Sequence, residues 1–416
     1  MSSEPRRAGV SRGRPERAVE TRRQDADVRI TAPKERCWTT VSRVFFCSCL
    51  AISVVVLGGL IAAALSPAPA PQSEGPVSPS RLDETKPPRA ASATAERRAP
   101  APVVEPSRPS GARTSAVPVP ASGAYFGAWT SSTTGHILEQ REAQIGRQYN
   151  IVHVYHDWDD QFPDAREQAW ADGGRTLFFA VEPRIYGSSR VIPWRAIAAG
   201  EEDATLDAMA ARVKALGHPV LIDFSHEPEG RSSMGTPQEF AAAFRHVHAR
   251  FQAEGATNVA WVWTIMGYPA YYGVYAGGLY PGDDVVDWIA WDPFNWYLCH
   301  GSAWKSFADE VAPFYTWLMS NGHSDKPFML AEYGTRESDS DALAKGRWFR
   351  DALSTLKGGA FPNLKALVYF DSNHSDCDWG IDTSQASLDG FRELASDPYL
   401  NPKSRRVGRA PPRSGG

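Results

Sequence analysis

Two glutamates, Glu227 and Glu332, each close an apolar run, and they stand 105 positions apart in a chain of 416 residues. LIDFS leads into His226-Glu227, and FMLA leads into Glu332-Tyr333. A facing pair of carboxylates can divide its labour, one protonating a leaving oxygen while the other attacks the carbon being left. Hydrolysis of a glycosidic bond uses such a pair, and a separation of about 5–5.5 Å makes the second carboxylate a nucleophile that retains configuration. The acid must then have a raised pKa while its partner stays ionised. A single glutamate after a strand reads equally well as a solvated loop acid. Two of them, ending separate apolar runs, weigh against that.

The elements that would hold the pair begin at Ala124. Eight short apolar runs follow: Tyr125–Trp129, Ile151–Tyr155, Thr176–Val181, Val220–Ser225, Val259–Thr264, Trp288–Asp292, Phe328–Ala331 and Ala366–Phe370. Amphipathic stretches lie between them, such as Phe240, Phe244, Val247 and Phe251 at helical spacing. Thr236, Pro237 and Glu239 supply an N-cap, a first-turn proline and a capping-box acid. Strands alternating with helical crossovers mean a parallel sheet, and eight units over about 275 residues predict a (β/α)8 TIM barrel. A doubly wound open sheet is the alternative, disfavoured because no glycine-rich phosphate turn follows the first strand.

A barrel puts its site at the C-terminal ends of its strands. On that rule the candidate binding residues are His156 and Trp158 after strand two, Glu182 and Arg184 after strand three, and Trp263 on strand five. Phe294 and Trp296 follow strand six, Tyr333 strand seven and Trp379 strand eight. Thirteen of the 14 tryptophans fall within 122–400, and indole faces stack on the C–H faces of sugars, although about half of them should be core. Cys299 and Cys377 follow strands six and eight on the same barrel face, and a disulfide between them is expected in an oxidising compartment. His246 and His248, at i, i+2 on a helix, point to different faces and read as helix surface. Asp157, Asp159 and Asp160 lack a calcium-loop pattern and read as a solvated loop or as sugar-hydroxyl contacts.

The net charge of −4 is a cancellation. Residues 1–43 carry +5, 66–121 carry +2 and 401–416 carry +5, which leaves −16 on 122–400. So acidic a core excludes a nucleic-acid groove. Residues 44–65 hold no charge and can cross a bilayer of roughly 30 Å. With a basic arm before it, this run is expected to anchor the chain in the cell membrane, N-terminus cytoplasmic and the 122–400 domain extracytoplasmic. The small residues at 62–64 and 68–70 also allow cleavage as a signal, and hence secretion. Residues 66–121 contain 13 prolines and no apolar periodicity, so they read as a disordered stalk. Residues 401–416 read as a disordered tail.

Four stretches together resemble glycoside hydrolase family 26: LIDFSHEPEG at 221–230, GTPQEFAAAFRHVHARFQAEGATNVAWVW at 235–263, YPGDDVVDWIAWDPFNW at 280–296 and KPFMLAEYG at 326–334. The resemblance spans about residues 122–398. It implies a (β/α)8 fold and retaining hydrolysis of β-mannan or β-glucan, with Glu227 as acid/base, Glu332 as nucleophile and His226 as a positioning group. Three positions depart from the family pattern. Glu229 replaces an asparagine, Val181 a tryptophan, and Phe294 the tyrosine that would hydrogen-bond the nucleophile. The expectation is therefore a retaining endo-β-glycosidase on a neutral polysaccharide, monomeric, needing no metal or cofactor. The alternatives are a glycan-binding pseudoenzyme, and a transglycosylase or hydrolase acting on self-made exopolysaccharide.

Overall fold

A computed structural model describes residues 115–130, 136–188, 190–299, 301–372 and 377–402. Eight parallel strands run in chain order: β1 (Tyr125–Thr130), β2 (Ile151–His156), β3 (Thr176–Val181), β4 (Val220–Phe224), β5 (Val259–Ile265), β6 (Trp288–Trp291), β7 (Phe328–Thr335) and β8 (Leu364–Asp371). Each pairs with the next, and β8 returns to β1 in register from Tyr125↔Ala366 to Thr130↔Asp371. The sheet closes. That excludes the open doubly wound alternative, and every expected strand lies on one of the eight.

Helices α1 (Ile137–Ile145), α2 (Ala165–Asp172), α3 (Asp203–Leu216), α4 (Pro237–Ala253), α5 (Phe307–Ser320), α6 (Ala344–Lys357) and α7 (Gln385–Ser396) ring the barrel. The expected start of α4 is present, with Thr236 and Glu239 forming a reciprocal capping box. Between β5 and β6 no full helix forms; Pro269–Leu279 crosses over in short turns packed by Tyr271, Tyr272 and Tyr275. His246 on α4 reaches across to Asp203 at the start of α3, 2.6 Å away.

Period-two alternation divides the strand residues. Ile151, Phe178, Leu221, Val262, Trp288, Met329 and Val368 fill the inside of the barrel, joined by Val117 from the segment read as stalk. Their alternates, such as Val152, Leu177, Ile222, Trp261 and Leu367, face the helices in the larger outer core. Higher in the barrel the inward residues turn polar, with His153, Asp223, Thr264 and Asp292 all buried. An apolar plug thus supports a polar mouth.

The basic arm 1–43, the apolar run 44–65, most of the 66–121 stalk and the tail beyond 402 lie outside the described residues. Among the described residues no helix is long and apolar enough to cross a membrane.

Candidate active site

Glu227 and Glu332 come to the same mouth from β4 and β7, three strands apart around the barrel. Two local irregularities aim them. Ser225 (φ 54°) and Glu227 (φ 49°) adopt left-handed backbone, rare for residues with a Cβ, and the turn lifts Glu227 off the strand end. The Glu227 amide donates to the Thr264 carbonyl at 3.1 Å, which tethers the turn to β5. On β7 a bulge falls between Leu330 and Tyr333. Met329 and Ala331 face inward, so strict alternation would send Glu332 outward. The bulge reverses this: Tyr333 joins the outer core, and the Glu332 amide leaves the ladder to donate to Asp292 Oδ1 at 2.9 Å.

A buried charge network lies under Glu227. Glu182 binds His226 Nδ1 through one oxygen at 2.6 Å and Arg231 Nη1 through the other at 2.7 Å. Arg231 also donates through Nε to the His226 carbonyl, 2.7 Å away. Burial alone would drive Glu182 toward its neutral form, but Arg231 and His226 overcome it and hold the carboxyl below its ordinary range. For His226 burial disfavours the charge, yet Glu182 lifts the imidazole to about 9. His226 is therefore a cation at neutral pH, 2 % exposed and held at Nδ1 by Glu182.

Both glutamates of the pair are pushed up. Glu227 is raised by burial against the opposing pull of His226 and Arg231. Glu332 rises to about 7, by burial first and then by the charge of Glu227. Two such groups titrate in coupled steps that belong to the pair rather than to either residue. Below them Asp223 is raised to about 7, and Asp292 well above its usual value, by burial and then by neighbouring charges.

Sequence reasoning missed two side chains here. Tyr155 on β2 donates its hydroxyl to Glu332 Oε1. It lies in phase with the inward Ile151 and His153, and that was its available signal. Arg231 stands directly after the strand-four motif, and its approach to Glu182 depends on the turn at Pro228–Gly230. Glu229 has partners of its own: its Oε1 accepts from the Met266 amide at 2.6 Å and from the Tyr275 hydroxyl. The carboxylate that replaces asparagine pins the β4 turn to β5 and its crossover. Burial raises its pKa to about 8.

Several expected sugar contacts are corrected by the same alternation. Trp263 and Tyr333 face the helices and are sealed in the outer core. His156 also points outward, to Glu167 at 2.9 Å and Asp160 at 3.3 Å. Trp158 is buried, its indole donating to Glu202 at 3.0 Å. Glu182 serves His226 and Arg231, and Arg184 lies over the Tyr186 ring at 5.6 Å. Across the mouth, Phe294 and Trp379 are buried behind the partly exposed Trp296, with ring centroids 5.0–5.3 Å apart. Cys299 and Cys377 are bonded at a Cα–Cα distance of 5.7 Å, joining the loops that carry this aromatic wall. Glu227, Glu332 and His226 are thus brought together, Trp296 stands in the aromatic wall, and most of the other candidates are wall or core.

No family model matches the chain. It is 31% identical over 296 residues to Endoglucanase H of Acetivibrio thermocellus, covering 68% of this chain and 31% of that protein. A β-1,3-xylanase from a Vibrio species is 26% identical over 189 residues, 40% of each chain. The chain therefore spans between about a third and a half of the length of the curated relatives it matches. Among solved structures, a GH26 β-mannanase from Bacteroides ovatus has a TM-score of 0.51 at 16% identity, covering 67% of this chain and 90% of that one. The catalytic domain of a GH26 endo-β-1,4-mannanase from Bacillus sp. JAMB-750 also gives 0.51 at 16% identity, covering 68% and 89%. These structures share the barrel.

Proposed function

With motifs, barrel and relatives all pointing to glycoside hydrolase family 26, we propose that the chain is an endo-acting β-glycosidase that cleaves a neutral polysaccharide with retention of configuration. A β-glucan is the first choice of substrate, because Endoglucanase H is the relative with the higher identity; β-mannan and β-1,3-xylan are suggested by the other relatives. The observation that carries the reading is the pair itself: Glu227 and Glu332, each aimed by a backbone irregularity into one mouth and each raised in pKa by burial.

In the first step a Glu332 oxygen bonds to the anomeric carbon as the glycosidic C–O bond breaks, and the departing oxygen takes the proton of Glu227. In the second, Glu227 removes a proton from water, the water oxygen bonds to the anomeric carbon, and Glu332 leaves as a carboxylate. His226 and Arg231 keep positive charge beside Glu227, which suits its carboxylate form between the two steps. Trp296 offers a partly exposed indole edge of the cleft for a sugar ring.

The same proposal places the domain outside the cytoplasm, tethered through residues 44–65, and the Cys299–Cys377 bond suits that compartment. The full-length chain, incubated with barley β-glucan, galactomannan and β-1,3-xylan, should release reducing ends from at least one of them. Glu332→Ala should cut that rate by roughly 10^4-fold or more. Undiminished release by the variant would overturn the assignment. Activity that stays in the supernatant after detergent-free lysis would overturn the tether.

A further inference from the structure

Retaining hydrolysis needs one carboxyl of the pair protonated and the other ionised, so something must decide which is which. We propose that Tyr155 makes this assignment: by donating its hydroxyl to Glu332 Oε1 it holds that carboxylate ionised and oriented, and leaves the proton on Glu227. The inference rests on the reading of the pair given above and adds a positioning residue to it.

Tyr155 is built to donate. Its ring sits edge-on to Trp129 at 5.7 Å, against His153 at 4.5 Å and tilted over His226 at 5.4 Å, so three rings fix its direction. Burial, and then the negative charges of Glu332, Asp292 and Glu227, push the phenol well above its ordinary pKa. It therefore keeps its proton at any working pH and presents it to Glu332, whose own amide is already engaged by Asp292.

Glu182 raises Glu227 and so works in the same direction as Tyr155, while the other groups around Glu332 do not choose between the glutamates. They are His153 on β2, Asp223 and His226 on β4 with Arg231 beyond it, and Asp292 after β6. His226 and Arg231 favour the ionised form of both Glu227 and Glu332. Asp223 and Asp292 are themselves raised by burial, which weakens their charge at neutral pH. His153, stacked on Phe178 at 4.2 Å, is held well below its usual pKa by burial and stays neutral. Tyr155 acts on one glutamate alone, because a hydrogen bond is short-ranged and directional where charge is not. Phe294, where a hydroxyl was expected, packs between Trp296 and Trp379 and has nothing to donate. In this chain the hydroxyl comes from β2.

The test titrates the full-length chain, labelled with [5-13C]glutamate, by NMR, with Glu227→Gln and Glu332→Gln identifying the two signals. Wild type should show Glu332 ionising before Glu227. In Tyr155→Phe the Glu332 step should rise by about one unit or more, and kcat on the cleaved glycan should fall roughly 10- to 100-fold with its acid limb moved to higher pH. Should Tyr155→Phe fail to fold, 3-fluorotyrosine at position 155 keeps the packing and makes a stronger donor, so the Glu332 step should move down. An unmoved Glu332 titration, or a wild-type proton resting on Glu332, overturns the proposal. Because the titration needs no substrate, a chain that cleaves no glycan sinks the hydrolase reading separately.

Discussion

Glu182 organises the charge beside the proposed catalytic pair. Its two oxygens hold two buried cations, and losing one partner of such a set strands charge out of water. His226 gains its raised pKa there, moving from 6.5 to about 9. A folded-state pKa raised in this way contributes stability that is complete below about pH 6.5 and disappears as the pH climbs through 9, worth roughly 3 kcal/mol. Urea unfolding between pH 6 and 10 should show this alkaline loss in wild type. Glu182→Gln should be destabilised at neutral pH by about 3 kcal/mol or more and should lose the alkaline step. A variant with an unchanged pH profile would contradict the network. At this scale the sequence disclosed the residues standing directly after an apolar run: Glu227, His226 and Glu332. Tyr155 and Arg231 escaped because their roles come from the far side of the barrel or from a turn. Trp263 and Tyr333 were misread because strand-end position was weighed without the inward–outward period, and on β7 a bulge changes even that period.

The ends of β4 and β7 carry the two glutamates proposed to react, and the loops carry the wall proposed to meet substrate. All eight strands were visible as apolar runs, since strands buried on both faces leave uninterrupted Val, Ile, Leu and Phe. The β5–β6 crossover was not visible, because Pro269–Leu279 is rich in Tyr and Gly and packs by ring contacts rather than by helical period. The expected cystine is present and closes 78 residues between the β6 and β8 loops. Cys377→Ser should therefore lower stability by roughly 3–5 kcal/mol, read from urea midpoints without reductant. It should also raise KM more than it lowers kcat, because Trp296 stands on a tethered loop while Glu227 and Glu332 do not. Equal KM and equal stability in the variant would show that the wall holds itself.

Across the whole molecule, charge and fold agree on the kind of substrate. The −16 of residues 122–400 would repel a polyanion, which favours a neutral glycan, while the basic segments lie outside the barrel. The hypothesis of a silent glycan receptor was motivated by Phe294 and Glu229. Both departures have structural answers: Tyr155 supplies a hydroxyl to Glu332, and Glu229 is tied to Met266 and Tyr275. The proposed double displacement on Glu332 can be caught midway. A 2-deoxy-2-fluoro-β-cellobiosyl fluoride slows the second step more than the first, so the glycosyl-enzyme accumulates and can be located by peptide mass spectrometry. The mass of one fluorinated cellobiosyl group should appear on the peptide containing Glu332, in wild type and not in Glu332→Ala. A label on any other residue, or polysaccharide cleavage whose first product has inverted anomeric configuration, would contradict the account.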